Sequence, residues 1–172
     1  MEIAWGAKVS DQFKGLVLQM CDEFRINPNY LMACIAFESA ETFKSDIRNA
    51  AGSGAVGLIQ FMPQTAAIMH TTIEALAAKT PEQQLFYVRL YFLPFRSRLI
   101  TLSDVYSAIL WPSAIGKPEN AIIFDGHDDN HPKLYLQNKG LDLNHDGLIQ
   151  KFEIAASVQR KLEKGLQPEF VG

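Results

Sequence analysis

Residues 29–64, NYLMACIAFESAETFKSDIRNAAGSGAVGLIQFMPQ, decide the reading of the chain. Leu31, Met32, Cys34, Ile35 and Phe37 form a nearly unbroken apolar run, and Asn27-Pro28 before it supply a helix start. The run closes on Glu38. A carboxylate in that position is drawn partly out of water, which disfavours its charged form and raises its pKa toward the range useful to a general acid at neutral pH. Glu38 is therefore the leading candidate for chemistry, set against the plainer reading of a solvated glutamate at a helix end.

The stretch 50–57, AAGSGAVG, holds three glycines in six residues, so its backbone can take positive φ and approach a ligand closely. Neither a Lys-Ser/Thr pair nor a GxGxxG spacing follows, which argues against a nucleotide site and for the wall of a sugar cleft. Gly57-Leu58-Ile59-Gln60-Phe61-Met62-Pro63 then returns the chain past Glu38. Gln60 reads as a cleft residue or a polar residue at a helix edge; Phe61 and Met62 read as core.

Glu38-Ser39 followed about twenty residues later by Gly57-Leu58-Ile59-Gln60-Phe61-Met62-Pro63 resembles the first two motifs of the SLT-type lytic transglycosylases, members of the lysozyme-like superfamily. The resemblance implies an all-α, lysozyme-like fold and cleavage of the β-1,4 bond between N-acetylmuramic acid and N-acetylglucosamine in peptidoglycan. It implies Glu38 as the catalytic acid/base, Ser39 as its support, and Gly57 and Gln60 as cleft wall. The third family motif, Ala-Tyr-Asn, is replaced by DVYSAILWP over 104–112, with Tyr106 or Trp111 standing in for the tyrosine. That variant resembles the branch found in bacteriophage cell-wall lysins. Both aromatic rings suit stacking on sugar faces, and both equally suit a core.

Glycoside hydrolysis normally uses a second carboxylate roughly 5 to 9 Å from the first. Glu41 and Asp46 are near in sequence, but neither carries a motif, so a single-carboxylate mechanism is favoured. The family resemblance implies 1,6-anhydromuramic products; water in place of the muramyl 6-hydroxyl gives a hydrolytic muramidase. A non-catalytic glycan-binding or virion-structural module is the rival outside enzymology, motivated by the altered third motif.

A second motif lies near the C-terminus. Residues 142–153, DLNHDGLIQKFE, fit the EF-hand loop D-x-[DN]-x-[DN]-G-x₅-E at each position. The ligands of a structural calcium ion would be Asp142, Asn144, Asp146, the Leu148 carbonyl, Gln150 directly or through water, and Glu153. Flanking helices are expected over 132–140 and 154–166, giving a C-terminal EF-hand-like unit, 126–172, packed on a catalytic domain, 1–125, in one compact body. A calcium-regulated interaction domain is the reading that makes this loop the business end. His127 and His131, four apart in a polar loop without an HExxH pattern, are a weak zinc signal.

Composition bounds the rest. With 172 residues, 48% apolar and 20% charged, the chain can form one full hydrophobic core. A net charge of −3 leaves no broad basic face, which disfavours nucleic acid and anionic lipid as partners and leaves peptidoglycan glycan strands, bound by a monomer. Cys21 and Cys34 fall in consecutive apolar stretches and read as buried thiols. No Sec-type signal sequence and no run of roughly 18 apolar residues is present, so no membrane insertion is expected and delivery to the cell wall falls to another agent. Helices are expected over 11–26, 28–41, 63–69 and 72–78, from Pro81 to about Pro94, and after a Ser103-Asp104 cap. The aromatic run Phe86, Tyr87, Tyr91, Phe92 and Phe95 is assigned to the core.

Overall fold

The structure is a computed structural model that describes residues 1–49, 52–128 and 132–172. Ala50 and Ala51 of the Gly-rich stretch, and His131 of the suggested histidine pair, lie outside the described residues. Eight α-helices are described: α1 (Asp11–Phe24), α2 (Pro28–Glu38), α3 (Pro63–Ile68), α4 (Ile73–Ala77), α5 (Pro81–Phe92), α6 (Leu102–Leu110), α7 (Pro132–Asn138) and α8 (Lys151–Gly165). The all-α expectation needs one correction. Strands β1 (Ile122–Asp125) and β2 (Leu148–Gln150) pair antiparallel, and they escape sequence reading because alternation over so few residues does not register as a pattern.

Local chemistry sets the helix starts. The Ser10 hydroxyl accepts from the Phe13 N–H at 3.1 Å to cap α1, and Asn27 with Pro28 in the first turn starts α2. Thr80 and Gln83 form a reciprocal capping box on α5. Thr101 and Asp104 do the same for α6, so its cap lies two residues ahead of the expected Ser103.

Helix α2 is the centre of the molecule. From Leu31 to Ala36 every residue is buried, the signature of a helix enclosed all round. It packs on α1, α6 and α8, while α5 covers α1. Burial of Leu31, Met32 and Ile35 contributes about 1.5–3 kcal/mol each. The main core adds Phe13, Val17 and Phe24 of α1, Leu58 and Phe61 of the returning loop, Val88 and Phe92 of α5, Val105 of α6, and Val158 and Leu162 of α8. Phe86, in contrast to the core assignment of its stripe, is 56% exposed. Cys21 and Cys34 are free thiols in this core, and burial pushes the Cys21 pKa up to about 12. A second, smaller cluster joins Ala114, Phe124, Tyr135, Ile149 and Ile154 around the sheet. Among the described residues no helix is long and apolar enough to cross a membrane.

Helix α8 ties the second cluster to the first. Lys151, at its start, is buried, and its ammonium donates to Asp104 Oδ1 at 2.6 Å and to the Lys117 carbonyl at 2.8 Å. The Asp104 carboxylate also accepts from the Gly116, Ile100 and Thr101 N–H groups. A buried pair this well satisfied is costly to break on one side, so it fixes how α8 meets α6.

Candidate active site

Glu38 is the last residue of α2, and a sharp turn follows it. Ala40, Glu41 and Phe43 all have positive φ, of 50°, 63° and 54°. Non-glycine residues in the left-handed region cost of order ~1–3 kcal/mol each and persist only where surroundings impose them. Here the constraints are visible. The Ser39 hydroxyl accepts from the Phe43 N–H at 3.1 Å, and the Thr42 hydroxyl donates to the Ser39 carbonyl at 2.7 Å. Phe43 is buried against Trp5 and Phe13. Ser39 is thus fully buried and shapes the turn that ends α2, which is a supporting role exerted through the backbone.

The turn also ends α2 three residues earlier than expected and redirects Glu41. Lys161 and Lys164 of α8 donate to its two oxygens at 2.5 and 2.6 Å. Burial pushes the Glu41 pKa up, but the hydrogen bonds and charges of these lysines outweigh it and hold the carboxyl below its ordinary value. Glu41 is therefore committed as an anion to α8, and like-charge repulsion from it is not among the causes acting on Glu38. Asp46 is exposed.

Glu38 itself is partly exposed, yet burial raises its pKa from 4.5 to about 7. The opposing cause is a hydrogen bond with Tyr106, whose hydroxyl donates to the carboxylate and favours its charged form. Tyr106 comes from the middle of α6, is buried, and stands edge-on to Phe37 with ring centroids 5.5 Å apart. Its own pKa is pushed far up by burial and by the Glu38 charge, so it remains a donor. Of the two aromatic candidates, Tyr106 is the one that acts on Glu38. Trp111 packs against Phe124 in the second cluster, with centroids 5.1 Å apart.

Tyr91 of α5 also senses Glu38. Its pKa is pushed up to about 12, by burial first and then by the Glu38 charge. Its hydroxyl donates to the Ala108 carbonyl of α6 at 2.7 Å, and its ring meets Phe61 edge-on at 6.3 Å. Sequence reading placed Tyr91 in an undifferentiated aromatic stripe, where only its phenol distinguished it from Phe92.

The segment 56–61 closes on itself, Val56 and Phe61 exchanging N–H···O bonds of 3.1 and 2.8 Å. Gly57 has φ +85°, and a Cβ there would stand 2.3 Å from the Gln84 amide oxygen. Gln84 is the residue that sequence reading missed. Fully buried in α5, it accepts from the Leu58 N–H at 2.8 Å and donates to the Ser45 and Leu76 carbonyls at 3.0 and 2.9 Å. Every hydrogen-bonding direction of its amide but one is used, two pinning the loop after α2 to α5 and one holding α4. Gln60, at φ +52°, spends its amide N–H groups on the Ile47 and Gly57 carbonyls at 3.3 and 3.1 Å, so it too braces the loop.

The loop 142–153 follows α7 and runs into α8. Asp142 and Glu153 are buried, whereas Asn144 and Asp146 are exposed and bond each other. The Gln150 amide nitrogen is turned to the Asn120 carbonyl at 3.2 Å. Among the described residues no three His, Cys, Asp or Glu side chains are gathered as a ready metal cluster.

A carboxylic acid with a pKa near 7, poised beside a tyrosine donor at the end of a rigid buried helix, can give a proton to a leaving oxygen and take one back at neutral pH. A comparison with curated proteins gives no match. A family model described as "Transglycosylase SLT domain" matches residues 16–86, a span that runs from α1 into α5 and includes Glu38, Ser39, Gly57, Gln60 and Gln84. That match, together with the mostly helical fold, supports a place for this part of the chain in the SLT transglycosylase and lysozyme-like superfamily, and with it a peptidoglycan-cleaving activity of the lytic-transglycosylase type.

Proposed function

We propose that the chain cleaves the β-1,4 bond between N-acetylmuramic acid and N-acetylglucosamine with Glu38 as both acid and base, leaving a 1,6-anhydromuramic end. The observation that carries this reading is the carboxyl of Glu38, with a pKa near 7 set by burial and a Tyr106 hydrogen bond and, among the described residues, by no neighbouring carboxylate. A two-carboxylate hydrolase needs a partner acid roughly 5–9 Å away. Of the two residues near enough in sequence, Glu41 is held by two lysines and Asp46 is exposed.

In the proposed first step protonated Glu38 gives its proton to the bridging oxygen, and the C1–O bond breaks with the substrate's own N-acetyl oxygen supporting C1. Glu38 leaves this step as a carboxylate, the form the Tyr106 hydroxyl stabilises. In the second step that carboxylate takes the proton from the muramyl 6-hydroxyl as its oxygen closes on C1. Glu38 ends protonated, ready to repeat. The substrate supplies both nucleophiles, so one titratable group suffices.

The loop 56–61 and Ser39 hold the geometry and take no proton. Release of soluble fragments from purified peptidoglycan tests the reading, with Glu38→Gln expected to reduce it by about 10²–10⁴-fold. An unchanged rate in that variant overturns it. Reducing ends in place of anhydro ends mean a muramidase, and lattice binding without soluble products means a glycan-binding module.

A further inference from the structure

We propose that residues 142–153 bind one calcium ion and that the ion braces the start of α8, independently of the reaction at Glu38. The observation beyond the sequence motif is an orphaned atom. Asp142 is 3% exposed, and its Oδ1 is buried with no hydrogen-bond partner. A carboxylate oxygen shielded from water and without a partner is unfavourable unless something cationic meets it.

The other oxygen of the same carboxylate shows where the group points. Asp142 Oδ2 accepts from the Gly147 N–H at 3.0 Å, across the loop, and from the Tyr135 hydroxyl at 2.6 Å. The carboxyl plane is therefore turned into the ring of residues 142–147, with Oδ1 left for a ligand there. No Lys or Arg answers it: among the described residues Asp142, Asp146 and Glu153 form no ion pair. Three carboxylates thus face one short loop without a cation.

The remaining donors suit a hard cation with a large, mixed oxygen set. Each Glu153 oxygen accepts one N–H, from Leu143 at 3.0 Å and from Gln150 at 2.8 Å, which leaves a lone pair on each for bidentate contact. Asn144, Asp146 and the Leu148 carbonyl stand at the alternate positions an EF-hand loop uses. Gln150 has its amide nitrogen on Asn120, which favours contact through water at that position. Neutral carbonyl and amide oxygens beside a bidentate carboxylate favour calcium over magnesium, which demands a small octahedral shell. Because the carboxylates are not gathered beforehand, binding draws exposed Asp146 inward toward buried Asp142 and Glu153.

The consequence runs through α8. Glu153 lies two residues from Lys151, whose ammonium holds Asp104 of α6, and α8 packs on α2 and α6. An ion clamping Glu153 therefore fixes the first turn of the helix that supports both elements of the catalytic pair. The test is calorimetric titration of the calcium-stripped full chain with calcium, alongside thermal unfolding. One site per chain in the range of about 10⁻⁶–10⁻⁴ M is expected, with a rise in Tm of about 5 °C or more at about a hundredfold excess over Kd. Glu153→Gln and Asp146→Ala, the latter at an exposed position, should each weaken binding at least about tenfold, and magnesium should give a smaller shift in Tm. Absence of binding heat and of any Tm shift at about 10 mM calcium overturns the proposal. So does equal binding by the wild type and Asp146→Ala, or an equal response to magnesium.

Discussion

Replacing Glu38 by Gln should cut turnover by about 10²–10⁴-fold and stabilise the fold, by an amount that depends on pH. Burial raises the Glu38 pKa from 4.5 to about 7, so the folded chain binds this proton more tightly than the unfolded chain. Stability from this group is then greatest below about pH 4.5 and falls as pH rises through about 7, where the folded state must carry a poorly solvated charge. The difference, at about 1.4 kcal/mol per pH unit, comes to about 3 kcal/mol, or about 2–3 kcal/mol with allowance for the solvent that reaches the side chain. Glutamine keeps the shape and an acceptor for the Tyr106 hydroxyl but has no proton to lose. Urea unfolding of both proteins at pH 4 and pH 8 should show the variant gaining about 2–3 kcal/mol on the wild type between the two conditions, or several degrees in Tm. A gap between the two proteins that does not change with pH refutes the burial argument for Glu38.

Other perturbations follow from the same contacts. The rate of peptidoglycan cleavage should fall on the alkaline side with a pKa near 7, and Tyr106→Phe, which removes the hydrogen bond favouring the carboxylate, should move that limb upward while lowering the rate; an unmoved limb contradicts the contact. Gln84→Leu leaves the Leu58 N–H and two carbonyls without partners in the interior and should cost about 3–5 kcal/mol by urea unfolding, whereas a cost below about 1 kcal/mol would remove Gln84 from its pinning role. Gly57→Ala meets the Gln84 amide and a positive φ together and should lose about 2–4 kcal/mol in the same assay. Lys151→Met strands the buried Asp104 carboxylate and should cost about 3–5 kcal/mol at pH 7, less at pH 3 as Asp104 takes up a proton.

The helices that build the core were legible because their signals are local. Ser10, Asn27-Pro28 and the Thr80/Gln83 box each act within four residues, and the unbroken apolar run of α2 announced an enclosed helix. Glu38 was legible for a related reason, since a carboxylate at the end of such a run has few ways to stay fully wet. What the sequence withheld depends on contacts distant in the chain. Glu41 looked like a neighbour for Glu38, but lysines about 120 residues later capture it once the strained turn rotates it away. Gln60 carries the family motif and its amide N–H groups go to the Ile47 and Gly57 carbonyls, while Gln84, in no motif, tethers the loop from α5. Tyr106 and Trp111 were equivalent as aromatic residues, and only the packing of α6 on α2 separates the one that reaches Glu38 from the one that fills the second cluster.

Mass spectrometry of the soluble fragments released from purified peptidoglycan, with Glu38→Gln as the blank, tests the central claim most directly. The single-carboxylate account predicts fragments ending in 1,6-anhydromuramic acid from the wild type and about 10²–10⁴-fold fewer from the variant. Fragments one water heavier, with reducing ends, would contradict it and require a second residue to activate water.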